Sequence, residues 1–364
     1  MNWPNIEGLE MISSPALLVD SQRISKNIDQ MIQIAGDNFK GRLRPHLKTH
    51  KMSKVTQLQI DKGINKFKSA TIFEAKMAAC LHAKDILLAY QPVGPNINRL
   101  GKLIEDFPDS SFATIADNLE SAKSMASEIG NSSNPVRLFI DINCGMNRTG
   151  ISLNDRLLNP LRKWIEKEPR VTFSGLHIYD GHLHQSELKN RRDSVIKINN
   201  SIKDYIKIET VPEIVVGGSP TFGLWAELTN WNLSPGTVLL WDAGYARAFP
   251  DLDFSIAACL LTRVISRPEK DLICVDLGHK SVAAENSLHE RVFFPDLLDY
   301  EIIGQSEEHL VIKTQHSQKY EPGHVLLGYP KHICPTVALH NQASVINDSI
   351  TSSETWEVNA RNRV

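Results

Sequence analysis

The 364-residue chain has no apolar run long enough to cross a bilayer. Its first residues, MNWPNIEGLEM, lack the basic region and apolar stretch of a secretory signal. Neither sign of charge dominates: 40 Lys and Arg stand against 42 Asp and Glu, a net charge of −2. That removes the electrostatic case for nucleic acid or an anionic membrane surface. Cysteine is sparse, and the five residues are scattered and odd in number. A disulfide framework is therefore not expected, and reduced thiols in a cytoplasm are. No GxGxxG follows the first strand-like run, which weakens a dinucleotide-binding reading. Repeats and low-complexity segments are also missing.

What the chain has is alternation. Short apolar β-type runs recur at 15–20, 43–50, 66–72, 85–92, 111–117, 137–143, 173–181 and 213–219. Helical patterns lie between them, as at 22–35, where Ile24, Ile28, Met31, Ile32 and Ala35 follow a helical spacing. Eight strands, each followed by a helical stretch, predict an α/β fold, a (β/α)8 TIM barrel, with a doubly wound sheet as the competitor. After about residue 250 the runs FSIAACLLTRVISR, DLICVDLGH, HLVIKT, HVLLGYP and SVIN are β-rich, and SLHERVFFPD between them reads as a loop. The expected division is a barrel over 12–250 and an all-β C-terminal domain over 251–364, joined by 1–11.

The segment RPHLKTHK (44–51) reads as a strand ending in cations. Alternation would place Arg44, His46, Lys48 and His50 on one face. A partly desolvated lysine among cations carries a usable free amine, as a Schiff-base lysine must. The competing reading is a basic strand end at the surface. Other polar residues fall at predicted strand ends, where barrel active sites lie: Thr71, Arg148, Tyr179, His182 and Gly217-Gly218-Ser219. Each alone could be a cap or turn residue.

The turn VVGGSPT (215–221) offers Gly217, Gly218, Ser219 and Thr221 to a phosphate, against an ordinary βα turn. In DINCGMNRTG, Arg148 sits in a Gly-rich loop, where a guanidinium could bind a phenolate or carboxylate. Tyr179, His182 and His184 put a ring and two imidazoles at one strand end, which suits general acid–base work. If the segment HICPT is extended, His332 and Cys334 share a face. One nitrogen and one sulfur suit zinc best, with manganese or magnesium as other divalent candidates. Two ligands leave positions open, as a catalytic metal requires. Lys68, near the end of its strand, could hold a phosphate or a substrate carboxylate.

Together PHLKTHK, GMNRTG, the Gly-Gly-Ser turn, PGTVLLWDAGY and HICPTVALH resemble the D-threonine aldolase and eukaryotic-type D-serine dehydratase family, fold-type III pyridoxal-phosphate enzymes related to the barrel of alanine racemase. The resemblance covers nearly the whole chain. It implies Lys48 as the internal aldimine lysine, Arg148 at the cofactor ring, Tyr179 beside the cofactor, and Gly218, Ser219 and their neighbours as the phosphate loop; Thr71, Lys68 and Tyr245 are further candidate cofactor contacts. It implies a divalent metal on His332 and Cys334, a small D-amino acid as substrate, and a homodimer. The activity it implies is a lyase on β-hydroxy-D-amino acids, of aldolase type, with β-eliminating dehydratase as the alternative. A non-enzymatic pyridoxal-phosphate homeostasis protein and a metal-only barrel hydrolase are the remaining readings. Three positions depart from the family patterns: Gln185 stands where aldolases carry a catalytic His, Cys334 where they carry Asp, and Ser234 where racemases carry Arg. The first leaves His182 or His184 as the proton-transfer residue.

Overall fold

Eight parallel staves do form, but the chain recruits a different set from the one its apolar runs suggest. The computed structural model describes residue 3, residues 6–347 and residues 349–363. The strand PALLVD, β1 (Ala16–Asp20), is not a barrel strand: it pairs with strands of a second sheet. The parallel sheet runs in sequence order through β2 (Lys66–Ser69), β3 (Asp85–Leu88), β4 (Ser111–Ala116), β5 (Val136–Ile142), β6 (Val171–Ile178), β7 (Glu213–Val216) and β8 (Asn232–Leu233). The eighth stave is residues 43–47, which bridge β8 on one side and β2 on the other. Arg44 N donates to Leu233 O at 2.9 Å and Lys68 N to Pro45 O at 2.9 Å, so the ring of hydrogen bonds closes. Pro45 lacks a backbone N–H, which helps explain why this stave holds isolated bridges rather than a regular ladder. The short β8 carries too little apolar pattern to be read as a strand.

The barrel interior is packed with Leu87, Ala113, Ile115, Phe139 and Val215 from alternate positions of four strands. Helices follow the strands with recognisable starts. Thr71 caps the helix Ile72–Cys80: its hydroxyl accepts from Glu74 N at 3.1 Å, while the Glu74 carboxylate accepts from Ala70 N at 2.6 Å. Asn118 caps Leu119–Glu128 in the same way.

The N-terminal end of the barrel is closed by charge. Arg44, fully buried, donates to both Asp85 oxygens at 2.9 Å and to Glu213 at 3.0 Å. Arg137 and Lys66 complete the cluster on the same two carboxylates. Burial pushes the Asp85 carboxyl up, but the Arg44 and Arg137 guanidiniums outweigh it and hold it at about 2. A carboxylate depressed in the folded state stabilises the fold above its unfolded pKa and loses that contribution as pH falls. Asp85 should therefore contribute about 2 kcal/mol at neutral pH, lost between about pH 4 and pH 2. Arg44→Met leaves two half-buried carboxylates with only Arg137 and Lys66 as partners and should cost about 3 kcal/mol. Urea denaturation at neutral pH checks the size of the loss, and acid titration checks that this part of the low-pH dependence disappears with the arginine.

The chain forms two compact units. One takes Met31–Lys48, Thr56–Gly236 and Asn362–Val364, and contains the barrel; the other takes Met1–Gln30, Thr49–Val55 and Thr237–Arg361. The second unit is mainly β. Its strands are β1, β9 (Ala258–Ser266), β10 (Leu272–Val275), β11 (Val292–Phe293), β12 (Tyr300–Gln305), β13 (Leu310–Thr314), β14 (Val325–Pro330), β15 (Gln342–Asn347) and β16 (Ile350–Glu357). They order as β12-β13-β10-β9-β1-β15-β16, with β14 also on β9 and β11 on β14. SLHERVFFPD is thus not all loop, since β11 lies within it. β1 is flanked by β9 and β15, and Leu17, Leu18 and Val19 are almost wholly buried there. An uninterrupted apolar run suits a strand buried on both faces, which is why PALLVD also suits a barrel.

Candidate active site

The barrel's share of the candidate site lies at the C-terminal ends of the staves. The stave at 43–47 ends in a turn over residues 47–50, so the strict alternation expected through His50 stops at Leu47. Arg44 accordingly lies at the opposite end of the barrel from Lys48, in the ion cluster already described. The cation on the neighbouring stave is Lys68. Leu47 N donates to Lys68 O at 2.8 Å, which ties the Lys48 turn to β2. Lys68 is 2% exposed, and its Nζ stands 5.6 Å from the centroid of the Tyr179 ring. Burial, then the Lys48 ammonium, push the Lys68 amine down to about 7.

Tyr179 follows β6 directly, and the Arg148 guanidinium lies 5.1 Å from its ring centroid. Arg148 sits in a loop organised by carboxylates: Asp141 accepts from the Thr149 hydroxyl at 2.8 Å, and Asp117 from Gly150 N at 3.0 Å. Gly145 in that loop has φ +124°, and a Cβ there would come within 3.0 Å of His182 Nε2. His182 thus packs on the arginine loop, with its Nδ1 buried and unpartnered. His184 is exposed. Gln185 turns to the helix Leu188–Ile208, where its amide donates to Ser194 at 3.3 Å.

The Gly217–Thr221 turn is held from below by Asp180. This buried carboxylate accepts from Thr221 Oγ1 at 3.0 Å and from Trp225 Nε1 at 2.7 Å, and burial pushes its pKa up. Thr221 Oγ1 in turn accepts from Gly218 N at 3.2 Å. Gly217 has φ +80°, and a Cβ would meet the Trp225 ring at 2.8 Å. Ser219 Oγ accepts from Gly236 N at 3.2 Å, which brings the turn after β8 beside the turn after β7. Thr71 is spent on its helix cap.

Sequence reasoning missed a buried dyad. His177 Nδ1 and Asp141 Oδ1 are 2.7 Å apart, and both residues are buried. Burial lowers the His177 imidazole; Asp141, pushed up by burial, is held down on balance by His177, Thr149 and Arg148. His177 Nε2 is buried without a partner and lines a small cavity with Asn143, Arg148, Thr149 and Tyr179. The available signal was the alternation of β6, which puts His177 and Tyr179 on one face.

In the β unit, HICPT is not extended. Ile333–Val337 is helical, with His332 at its N-cap position and Cys334 in its first turn, and Pro335 is tolerated that early in a helix. The pair still meets: His332 is hydrogen-bonded to Cys334 and, through Nδ1, to Glu285 at 2.8 Å. Burial lowers the imidazole, but Cys334, Asp242 and Glu285 outweigh it and raise it to about 9. The Cys334 sulfur lies 3.2 Å from Thr49 Oγ1 and 3.5 Å from Thr237 Oγ1. Asp242, buried and pushed up to about 6 by that burial, accepts from Ile333 N and from Tyr245 N. The Tyr245 ring packs edge-on against Trp241 and Phe249. Among the described residues no group of three or more His, Cys, Asp or Glu is arranged to hold a metal. The donor set is one nitrogen and one sulfur, with Glu285 orienting the imidazole as a carboxylate does behind a metal-bound histidine.

The family model of the alanine racemase N-terminal domain matches residues 19–243. The chain belongs to this family. A second family model, described as "Putative serine dehydratase domain", matches residues 257–346. The chain is 26% identical over 369 residues to a D-threonine aldolase of Arthrobacter sp, covering 97% of this chain and 94% of that protein. It is 23% identical over 383 residues to a D-serine dehydratase of Dictyostelium discoideum, covering 94% and 96%. The crystal structure of D-threonine aldolase from Filomicrobium marinum superposes with a TM-score of 0.87 at 23% identity, over 98% of this chain and 97% of that one. The resemblance carried by PHLKTHK, GMNRTG and HICPTVALH is thereby borne out. The fold is that of alanine racemase-like proteins, a parallel barrel sheet with a separate mainly β unit. Among the described residues, no helix is long and apolar enough to cross a membrane.

Proposed function

We propose that the protein is a pyridoxal-phosphate- and divalent-metal-dependent lyase acting on β-hydroxy-D-amino acids, of the D-threonine aldolase type. The observation that carries this reading is the grouping at the barrel's C-terminal end. Lys48 and Lys68 stand on adjacent staves, and Tyr179 lies between two cations. The donors fit the cofactor: a glycine turn stiffened by Asp180, where a Cβ would collide, and a buried His177 nitrogen that no protein atom satisfies. Lys48 would be the residue that bonds the cofactor's aldehyde carbon. Gly217, Gly218 and Ser219 would hold its phosphate, and Arg148 and Tyr179 would lie at its ring. Bound there, the cofactor supplies an electron sink for negative charge at the substrate Cα.

The protein's own groups divide the remaining work. His182, packed on the arginine loop with one ring nitrogen unpartnered, would take the proton of the substrate's β-hydroxyl in a retro-aldol cleavage. In a β-elimination the Lys48 amine would instead take the Cα proton. His332 and Cys334 would hold the metal, zinc on donor softness, as the Lewis acid for the β-oxygen. His182→Ala should lower turnover by ~10²-fold or more, whereas His184→Ala, an exposed change, should leave it within a few-fold. Steady-state assays of both variants check this, and equal losses would remove the assignment.

The dehydratase reading is the second one, favoured by Cys334 at the metal pair and by the serine dehydratase match over 257–346. Product analysis separates the two. Glycine and acetaldehyde from D-threonine support the aldolase type; 2-oxobutanoate with ammonia, or pyruvate from D-serine, supports the dehydratase type. No product from either substrate, with cofactor and zinc supplied, would sink both.

A further inference from the structure

A cavity of about 20 Å3 is lined by Arg148, His177 and Tyr179, with Asp141, Asn143 and Thr149. That volume admits one water-sized group and nothing larger. Most of its polar side chains are spent. Asn143 accepts from Gly145 N and Asn147 N and donates to the Asn147 side chain. Thr149 donates to Asp141 at 2.8 Å, and Asp141 holds His177 Nδ1 at 2.7 Å. The Tyr179 oxygen lies over Gly181, where a Cβ would fall 2.4 Å from it. Two groups are left. Among the described residues the Arg148 guanidinium makes no ion pair, and its named contact is the Tyr179 ring. His177 Nε2 is buried with no partner, on a residue only 4% exposed. The sheet itself sets the dyad behind it, because Asp141 on β5 and His177 on β6 are register partners on neighbouring parallel strands. Donation of Nδ1–H to Asp141 leaves Nε2 with its lone pair. A group that suits the cavity therefore accepts from a guanidinium and donates to an imidazole nitrogen. A hydroxyl does both, whereas an ionised carboxylate can only accept.

We infer that His177, held by Asp141, takes the proton of the cofactor's ring hydroxyl, and that Arg148 receives the oxygen left behind. The inference rests on the proposed placement of the cofactor ring at Arg148 and Tyr179. The hydroxyl's O–H bond breaks and a bond from Nε2 to the same hydrogen forms, with no other reactant. Each charge so made faces an opposite one. The oxyanion lies between Arg148 and the imidazolium, and the imidazolium lies between the oxyanion and Asp141. Without a ligand, burial lowers the imidazole, Asp141 raises it, and Lys68 on β2 and Arg148 lower it again, so His177 is neutral. An oxyanion at Nε2 adds a second negative neighbour and favours the charged form.

The test compares pyridoxal phosphate with its analogue lacking the ring hydroxyl, on cofactor-stripped full-length protein at neutral pH. Calorimetry measures binding, and nitrogen NMR of histidine-labelled protein measures imidazole protonation. Wild type should bind pyridoxal phosphate about tenfold or more tighter than the analogue. One of the 13 histidines should gain a second N–H with pyridoxal phosphate, and none should with the analogue. His177→Phe and Asp141→Asn should remove that signal. Both should weaken pyridoxal phosphate by about tenfold or more and leave the analogue's affinity as it was. A merely structural role would weaken both ligands equally, and that result overturns the inference, as do folded variants that weaken neither. A wild type in which no histidine gains a proton overturns it whether or not the variants fold, and so does a gained proton that survives in His177→Phe. Pyridoxal phosphate that fails to bind, or binds Arg148→Ala as tightly as wild type, defeats the placement of the cofactor and the inference with it. Binding that needs Arg148 but ignores the ring hydroxyl defeats the inference alone.

Discussion

Lys48→Ala is expected to abolish turnover and to leave any bound pyridoxal phosphate without the visible absorbance of a cofactor joined to an amine. The loss is expected to be complete because the residue would supply two things that no neighbour replaces. It would anchor the cofactor's aldehyde carbon, and its amine would serve the proton at Cα. Lys68, on the neighbouring stave, has its side chain against Tyr179. Lys51, the other lysine of the RPHLKTHK segment, has φ 53° and belongs to the other compact unit. Borohydride reduction of wild-type protein with bound cofactor, followed by peptide mapping, should put the label on Lys48. Label recovered on Lys51 or Lys68, or a coloured and active Lys48→Ala protein, would defeat the assignment. The ring contacts give a graded counterpart: Arg148→Ala and Tyr179→Phe should weaken cofactor binding without removing the covalent link.

That Lys48, Arg148, Tyr179 and the glycine turn would gather at one end of the barrel is legible in the sequence, and the reasons are local. Lys48, Arg148, Tyr179 and Gly217–Ser219 each follow a strand whose apolar run is plain in the sequence, and in a barrel the positions after the strands converge. What could not be read depends on which strands pair. PALLVD has the composition of a barrel strand, but its apolar side chains are buried between β9 and β15, while the barrel strand that takes its place is the two-residue β8, too short to leave an apolar run. Periodicity reports burial, not the partner that causes it. The same limit misplaced Arg44. Alternation puts it on the face of Lys48, but a stave is long enough to reach both ends of the barrel, and the carboxylates of Asp85 and Glu213 stand at the end where Arg44 lies. The His177–Asp141 dyad was hidden because both residues sit inside apolar strands, where a lone polar residue has no sequence neighbour to mark it. HICPT reads as extended from its β-rich surroundings, although Pro335 near the start of a short helix is an equally good fit to the same letters.

Chelation is expected to abolish lyase activity while leaving the fold and the borohydride-trappable cofactor in place. His332 and Cys334 supply one nitrogen and one sulfur, and they are hydrogen-bonded to each other despite the helix that replaces the expected strand. Two protein donors cannot complete a tetrahedral site, so the remaining positions go to water or substrate, as in catalytic rather than structural zinc sites. A site of that kind contributes little to stability. Its removal should therefore leave circular dichroism and thermal unfolding close to those of wild type. Cys334→Ala should reproduce the chelator's effect, and His332→Ala should be at least as severe, because it removes the nitrogen that Glu285 orients. Glu285→Gln tests the orienting contact: metal affinity should fall by about 10–100-fold, the range seen when such outer partners are lost, and excess zinc should restore turnover. Softness of the sulfur predicts that zinc reactivates stripped protein better than magnesium does. Metal analysis by mass spectrometry, with activity measured on the same samples, ties occupancy to rate. Full turnover of D-threonine or D-serine by metal-free protein would end the Lewis-acid role and leave the His332–Cys334 contact as part of a helix N-terminus.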